Sequence, residues 1–197
     1  MRKLIFSVLR SIPLAYWNAR ARFQFFVRGV RWPANLKVVG ALGLAGSGSI
    51  ELGDHLTIVN DARYNRAGVA HPTQLVAGAG ASLVIGDNVG ISGASICAHE
   101  SIVIGEHVLI GVNCHIYDTD FHAIDWQDRR CSENVKTAAV LIEDDVWLCA
   151  NVTVLKGVTI GARSIVAAGS IVTHDIPSDT LAGGIPAKPI RSLLNSD

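Results

Sequence analysis

An all-β fold, a parallel β-helix of short stacked strands, is the class this sequence predicts. Three observations predict it. Aliphatic residues recur every six positions, glycine and small polar residues fill the intervals, and one long polar segment interrupts an otherwise regular stretch. A period of six is neither the 3.6 of a helix nor the alternation of a plain strand; it fits a short strand followed by a sharp turn. Three such units close a triangular coil of about eighteen residues, and coils stack into a prism.

The clearest run steps through Ile142, Leu148, Val154, Ile160, Val166 and Val172. Four residues after each stand Val146, Val152, Val158, Ser164, Ser170 and Ile176, small or β-branched as the tight space beside a turn demands. The same pattern runs through Ile104, Ile110 and Ile116, with Val108 and Cys114 four residues on. It runs earlier through Ile85, Ile91 and Cys97, with Val89 and Ser95. The phase slips by one residue between Cys97 and Ile104, and weaker traces reach back to Leu52 and Ile58. The β-helix domain is therefore expected over residues 50–197. It breaks once, where the step from Ile116 to Ile142 is 26 residues. Residues 117–138 (YDTDFHAIDWQDRRCSENVKTA) are read as a polar excursion from the prism, and such loops on rigid scaffolds commonly carry function.

Two flanks remain. Residues 1–49 form a helical leader. Leu4, Ile5, Val8, Leu9 and Ile12 share one helical face, Pro13 is expected to end that helix, and Ala15 to Arg31 to form a second. The tail from Thr180 to Asp197 carries glycine and proline punctuation and then a short helix. Of the 197 residues, 49% are hydrophobic and 17% charged, which supports a sizeable core and excludes disorder. The zero net charge conceals an asymmetry: residues 1–50 hold eight basic and no acidic residues. Such a leader suits an anionic surface, membrane lipid first, or equally a cap over the open end of the coil. No nucleic-acid motif accompanies the charge. No run is long enough to span a bilayer or to serve as a signal peptide, so a cytoplasmic location is expected, including the inner face of the membrane. The four cysteines show no metal or disulfide spacing and read as reduced packing residues.

Three blocks carry a resemblance. IGEHVLIGVNCHIYDTDFHAID at 104–125, IEDDVWLCANVTVLKGVTIGARSIVAAGSIVTHDIP at 142–177 and AGGIPAKPIR at 182–191 together resemble the hexapeptide-repeat acyltransferases. Within that family the likeness is to the galactoside, maltose and capsular or colanic-acid O-acetyltransferase group. The resemblance implies a left-handed coil, a homotrimer with active sites between subunits, acetyl-CoA as donor, no metal, and a saccharide hydroxyl as acceptor. His122 matches the family's catalytic histidine. A thioester is already activated, so the reaction needs only a base for the acceptor hydroxyl, and imidazole suits that role. Asp118 and Asp120 are candidates to orient it or to bind acceptor, and His99 falls where the family often places an acceptor-contacting residue. Trp147, Ala150, Ala168 and Thr173 match positions along the pantetheine arm of the donor. Lys188 and Arg191 match basic positions near its phosphates. Ile185 departs from the asparagine or valine common in relatives. His115 reads as a scaffold or acceptor-site residue. A non-catalytic β-helix scaffold is one rival reading. A γ-type carbonic anhydrase is another, with His99, His115 and His122 available as metal ligands.

Overall fold

The computed structural model describes residues 2–131 and 133–194. Three sheets of eight, six and five strands form the walls of a triangular prism. Each circuit of the chain adds one strand to each wall. Trp147–Leu148, Thr153–Val154 and Thr159–Ile160 lie on the first, second and third faces. Neighbours in a sheet come from successive coils and are parallel. Ile85, Ile104, Ile142 and Ile160 therefore register one above another down the third face, all buried. Ile91, Ile110, Leu148 and Val166 do the same on the first face. The six-residue period is this inward stacking.

The second face corrects one register. Ile96, not Cys97, pairs with Ile116 and is buried, and Ala94 rather than Ser95 fills the adjoining corner. The chain drops one residue between Ile91 and Ile96 and gains two before Ile104, so the net slip of one concealed two compensating changes. Strands also begin earlier than residue 50. Lys37–Val39 and Leu42–Ala45 open the first coil inside the stretch read as leader. A second excursion, missed in the sequence, spans residues 60–72 between Thr57–Val59 and Thr73–Ala77. The Asn60 carboxamide closes its neck by accepting both the N–H and the hydroxyl of Thr73. Thr180–Gly184 and Ala187–Ser192 form an antiparallel hairpin where a terminal helix was expected.

The corners of the prism share one backbone geometry. His55, Asn88, His107, Asp145, Arg163 and Asp179 all have φ between 54° and 60°. Each donates its N–H to a carbonyl of the preceding coil, from His55 to Ala34 at 2.8 Å down to Asp179 to Ala162 at 2.9 Å. Asn, Asp and His tolerate this left-handed geometry better than other side-chain-bearing residues. His55 and His107 are thus corner residues.

A single helix, α1 (Arg2–Arg28), lies across the open end of the first coil. It passes through Pro13, which forgoes one helical hydrogen bond without ending the element. The side-chain face predicted for Leu4, Ile5, Val8, Leu9 and Ile12 lies outside the described residues. Ala21 and Phe25 are buried against the coil, Phe25 meets Trp32 edge-on at 5.6 Å, and Val30 continues the contact. Burial of Phe25 alone stabilises by about 2–3 kcal/mol. The polar residues between them serve the unpaired backbone of the first coil. Asn18 Oδ1 accepts the Val38 N–H at 3.0 Å, and Gln24 Nε2 donates to the Leu42 carbonyl at 3.1 Å. Arg28 reaches the Ala45 and Gly48 carbonyls, and Arg31 that of Leu52. The helix is therefore a cap: it covers an edge that would otherwise recruit another strand.

Candidate active site

The excursion that carries His122 leaves the second face after His115–Tyr117 and rejoins the third at Val140–Ile142. Its neck is closed by backbone pairing, with Ala138 donating to Asp118 at 2.9 Å and Asp120 to Lys136 at 3.1 Å. Asp118 is fully buried, and its two carboxylate oxygens accept the N–H groups of His99 and Glu100 at 2.7 and 2.8 Å. The carboxylate thus braces the enlarged turn between Ser95–Ala98 and Ser101–Ile104. With both oxygens so engaged, the expectation of Asp118 as an acceptor-binding residue gives way to a scaffolding role. Asp120 forms a half-buried ion pair with Lys156 at 2.7 Å, which ties the loop to the coil beyond. Its Oδ2 is buried without a partner among the described residues.

Past this neck the loop turns outward. Ala123 is buried, whereas His122 is exposed and makes no hydrogen bond to any described residue. The residue before it, Phe121, has φ of 59°, a cost of about 1–2 kcal/mol for a side chain of this bulk. Such strain persists only where the surroundings impose it, and it gathers at functional positions. Here the imposing contacts are aromatic. Phe121 meets Tyr117 at 5.1 Å and His99 at 5.8 Å, both edge-on. Tyr117 Oη hydrogen-bonds His115 Nδ1 at 2.8 Å, and His115 stacks on His71 from the 60–72 loop at 5.7 Å. A continuous row of rings therefore runs along the second face and ends beside His122. Burial, and then the neighbouring His71, push the His115 imidazole below its ordinary pKa, and burial raises that of the Tyr117 phenol. Both shifts favour the neutral forms of the His115 imidazole and the Tyr117 phenol. No single segment announces it, because its members come from three coils and two loops.

The donor-site candidates occupy other places. Trp147 projects from the first face, 47% exposed, directly beside Leu109, which in turn pairs with the bare Gly90. This step in side-chain size opens a groove of about 230 Å³ lined by Val59, Gly90, Ser92, Leu109, Gly111 and Trp147. Ala150 and Ala168 lie one above the other at the corner joining the first and second faces, where the Gly169 N–H donates to the Ala150 carbonyl at 2.9 Å. A side chain at Gly111 would come within 2.8 Å of the Ala150 nitrogen, so this corner is confined to small residues. Thr173 does not join them. It follows Ile171–Val172 at the opposite corner of the second face, where its Oγ1 lies 2.8 Å from His174 Nδ1. Lys188 and Arg191 are exposed on the terminal edge strand, and neither forms an ion pair among the described residues.

Within one chain, therefore, His122 and the Trp147 groove do not meet. The width of the second face lies between the corner that carries Ala150 and the one that carries the His122 loop. The loop tip, a short helix Trp126–Cys131 started by the Asp125 carboxylate, exposes Ile124 and Trp126 to solvent. A larger cavity of about 420 Å³ lies between Arg31 at the end of the cap and the third face. It holds no candidate catalytic group. Among the described residues no cluster of three or more His, Cys, Asp or Glu side chains is gathered as a metal would require.

Comparison with known proteins bears on these features. The family model described as bacterial transferase hexapeptide (six repeats) matches residues 139–174, and the hexapeptide repeat of succinyl-transferase matches 101–116. A hexapeptide-repeat-containing acetyltransferase from Vibrio cholerae O1 biovar eltor, solved with acetyl coenzyme A, is 30% identical. The match covers 90% of this chain and 78% of that one, with a TM-score of 0.58. The chain belongs to the hexapeptide-repeat acyltransferase family. Its prism is accordingly the left-handed parallel β-helix of that family. A maltose O-acetyltransferase from Clostridium difficile 630 is 25% identical, with 77% of this chain and 71% of that one covered and a TM-score of 0.51. The galactoside O-acetyltransferase of Lactococcus lactis is 44% identical over 98 residues, 49% of this chain and 45% of the relative. The chain spans about half the length of the curated relatives it matches. For this member of the hexapeptide-repeat acyltransferases, the family models thus match the coils on either side of the 117–138 excursion.

Proposed function

We propose that this protein transfers an acetyl group from acetyl-CoA to a hydroxyl of a saccharide, a surface polysaccharide or its precursor, with His122 as general base. One observation carries the reading. An exposed imidazole on an anchored loop stands at one corner of the prism, and a groove walled by Trp147 and floored by small residues opens on another face. Three copies around an axis parallel to the prisms would bring the loop of one against the groove of the next. The loop tip's exposed Ile124 and Trp126 suit that contact.

In that arrangement the pantetheine arm lies along Trp147, Ala150 and Ala168, where bulkier side chains would block it. Thr173 approaches from a neighbouring copy, and Lys188 and Arg191 supply charge-assisted bonds to the phosphates. The acceptor oxygen attacks the thioester carbonyl as His122 takes its proton. Backbone N–H groups hold the resulting oxyanion. The carbon–sulfur bond then breaks, and the imidazolium returns the proton to the departing thiolate. Asp120, held by Lys156, and Asp118, held by two backbone amides, fix the loop. His99 and the ring row behind it form the acceptor side. Acetylation takes place in the cytoplasm, with the basic leader in peripheral contact with the inner face of the membrane. Among the described residues no helix is long and apolar enough to cross a membrane.

The reading is tested by incubating the protein with radiolabelled acetyl-CoA and a panel of oligosaccharides, following free thiol and labelled sugar together. Equimolar release and incorporation with at least one saccharide is expected. Thiol release that no saccharide stimulates would count against the proposal.

A further inference from the structure

The cap uses only one side of α1. Ala21 and Phe25 face the coil, while Tyr16, Phe23, Phe26 and Val27 face away, with Phe23 68% and Phe26 82% exposed. A helix whose sole task was to close the coil would carry polar residues on that outer side. Here the outer residues fall at 16, 19, 23 and 26, alternate steps of three and four that keep one stripe in line. In the sequence the same spacing runs back through Ile12, Leu9 and Ile5. Arg20 and Arg22 flank the stripe. Their guanidinium groups lie over the indole rings of Trp17 and Trp32, at 5.7 and 4.5 Å, rather than on carboxylates.

We infer that the outward face of α1 docks on an anionic lipid surface, lying in the plane of the interface with its aromatic stripe at the acyl boundary. Charge decides between this occupant and a second copy of the helix. Residues 2–28 carry six basic residues (Arg2, Lys3, Arg10, Arg20, Arg22, Arg28) and no acidic one. Packing two such helices face to face would crowd like charges with nothing to balance them, whereas acidic headgroups supply the counter-charge. The fold adds geometry. The helix sits at one end of the prism, and the His122 loop leaves three coils further on, about 14 Å along the axis at the usual strand spacing. A docked protein would hold its site just above the headgroups, where lipid-linked material can reach it. The inference rests on the proposed placement at the membrane and is independent of the acyl-transfer chemistry.

Flotation of the full-length protein with vesicles tests it. Vesicles of phosphatidylglycerol and phosphatidylcholine in equal amounts are compared with phosphatidylcholine alone, at low and high salt. Retention on the anionic vesicles, weakened by salt, is expected, with little retention on neutral ones. The double substitution Phe23→Ser and Phe26→Ser should lower the partition coefficient about a hundredfold. Both side chains are exposed, so the melting temperature and the size in solution should stay unchanged. A folded protein that ignores anionic vesicles would overturn the inference, as would retention unaffected by the double substitution. So would a loss of oligomer in the double variant, which would assign the stripe to a second copy. Acetyl transfer in free solution by that variant should match wild type, so failure here is distinguishable from failure of the transfer reading.

Discussion

Replacing His122 by alanine should lower the rate of acetyl transfer about a thousandfold while leaving acetyl-CoA affinity within a factor of two. The size follows from the usual range for removing a positioned general base, about 10²–10⁴. The selectivity follows from the fold. His122 is exposed, donates to no described residue and supports no packing, so its loss leaves the loop standing. The loop is held instead by Asp118, by the Asp120–Lys156 pair and by buried Ala123. Steady-state kinetics with saturating donor, paired with donor titration, separate the two quantities. A parallel fall in affinity and rate would mean that His122 shapes the donor site instead.

Replacing Trp147 by alanine should weaken acetyl-CoA binding by about tenfold or more. An indole half-exposed on a β-sheet face offers a broad apolar wall, and covering that wall with a ligand is worth at least 1–2 kcal/mol. In the unliganded chain Trp147 rests beside Leu109 and is not buried in the core, so the substitution should alter stability little. Calorimetric titration of both proteins measures the change. Equal affinities would move the donor site away from the 230 Å³ groove on the first face.

How much of this was readable beforehand depends on whether the information was local. The inward aliphatics at Ile142, Leu148 and Val154 announce the coil because each stacks on its own repeat, and the excursion after Tyr117 announces itself by breaking that rhythm. The register at Ile96 was hidden because a deletion and an insertion nearly cancelled. The 60–72 loop was hidden because the repeats on either side of it were faint. The corner residues did leave a signal, in the series GDHL, GDNV, GEHV and EDDV at 53–56, 86–89, 105–108 and 143–146, whose third residue takes the left-handed turn. The terminal hairpin also had its sign in Gly-Gly-Ile-Pro between two strand-like runs. Nothing local could reveal that the Asp118 carboxylate is spent on two backbone amides, or that His71, His115, Tyr117, Phe121 and His99 share one row. Those are contacts between coils, and the period of six says where side chains stack but not which polar atoms meet. The two faces of α1 were half visible. Its basic character stood in the composition, but only the buried Phe25 and exposed Phe23 show that an apolar stripe lies on the side of the helix opposite the cap.

The most direct test of the account is complementation between copies. Chains carrying His122→Ala and chains carrying Trp147→Ala, differently tagged, are co-expressed, and oligomers containing both are purified by the two tags in series. Transfer is then assayed at donor concentrations below the weakened dissociation constant. If each site takes His122 from one chain and the Trp147 groove from its neighbour, every mixed trimer regenerates one intact site of its three and restores about a third of the wild-type rate. Activity no greater than the mean of the two parent variants would show that the imidazole and the groove serve the same chain or different purposes, and would contradict the shared site.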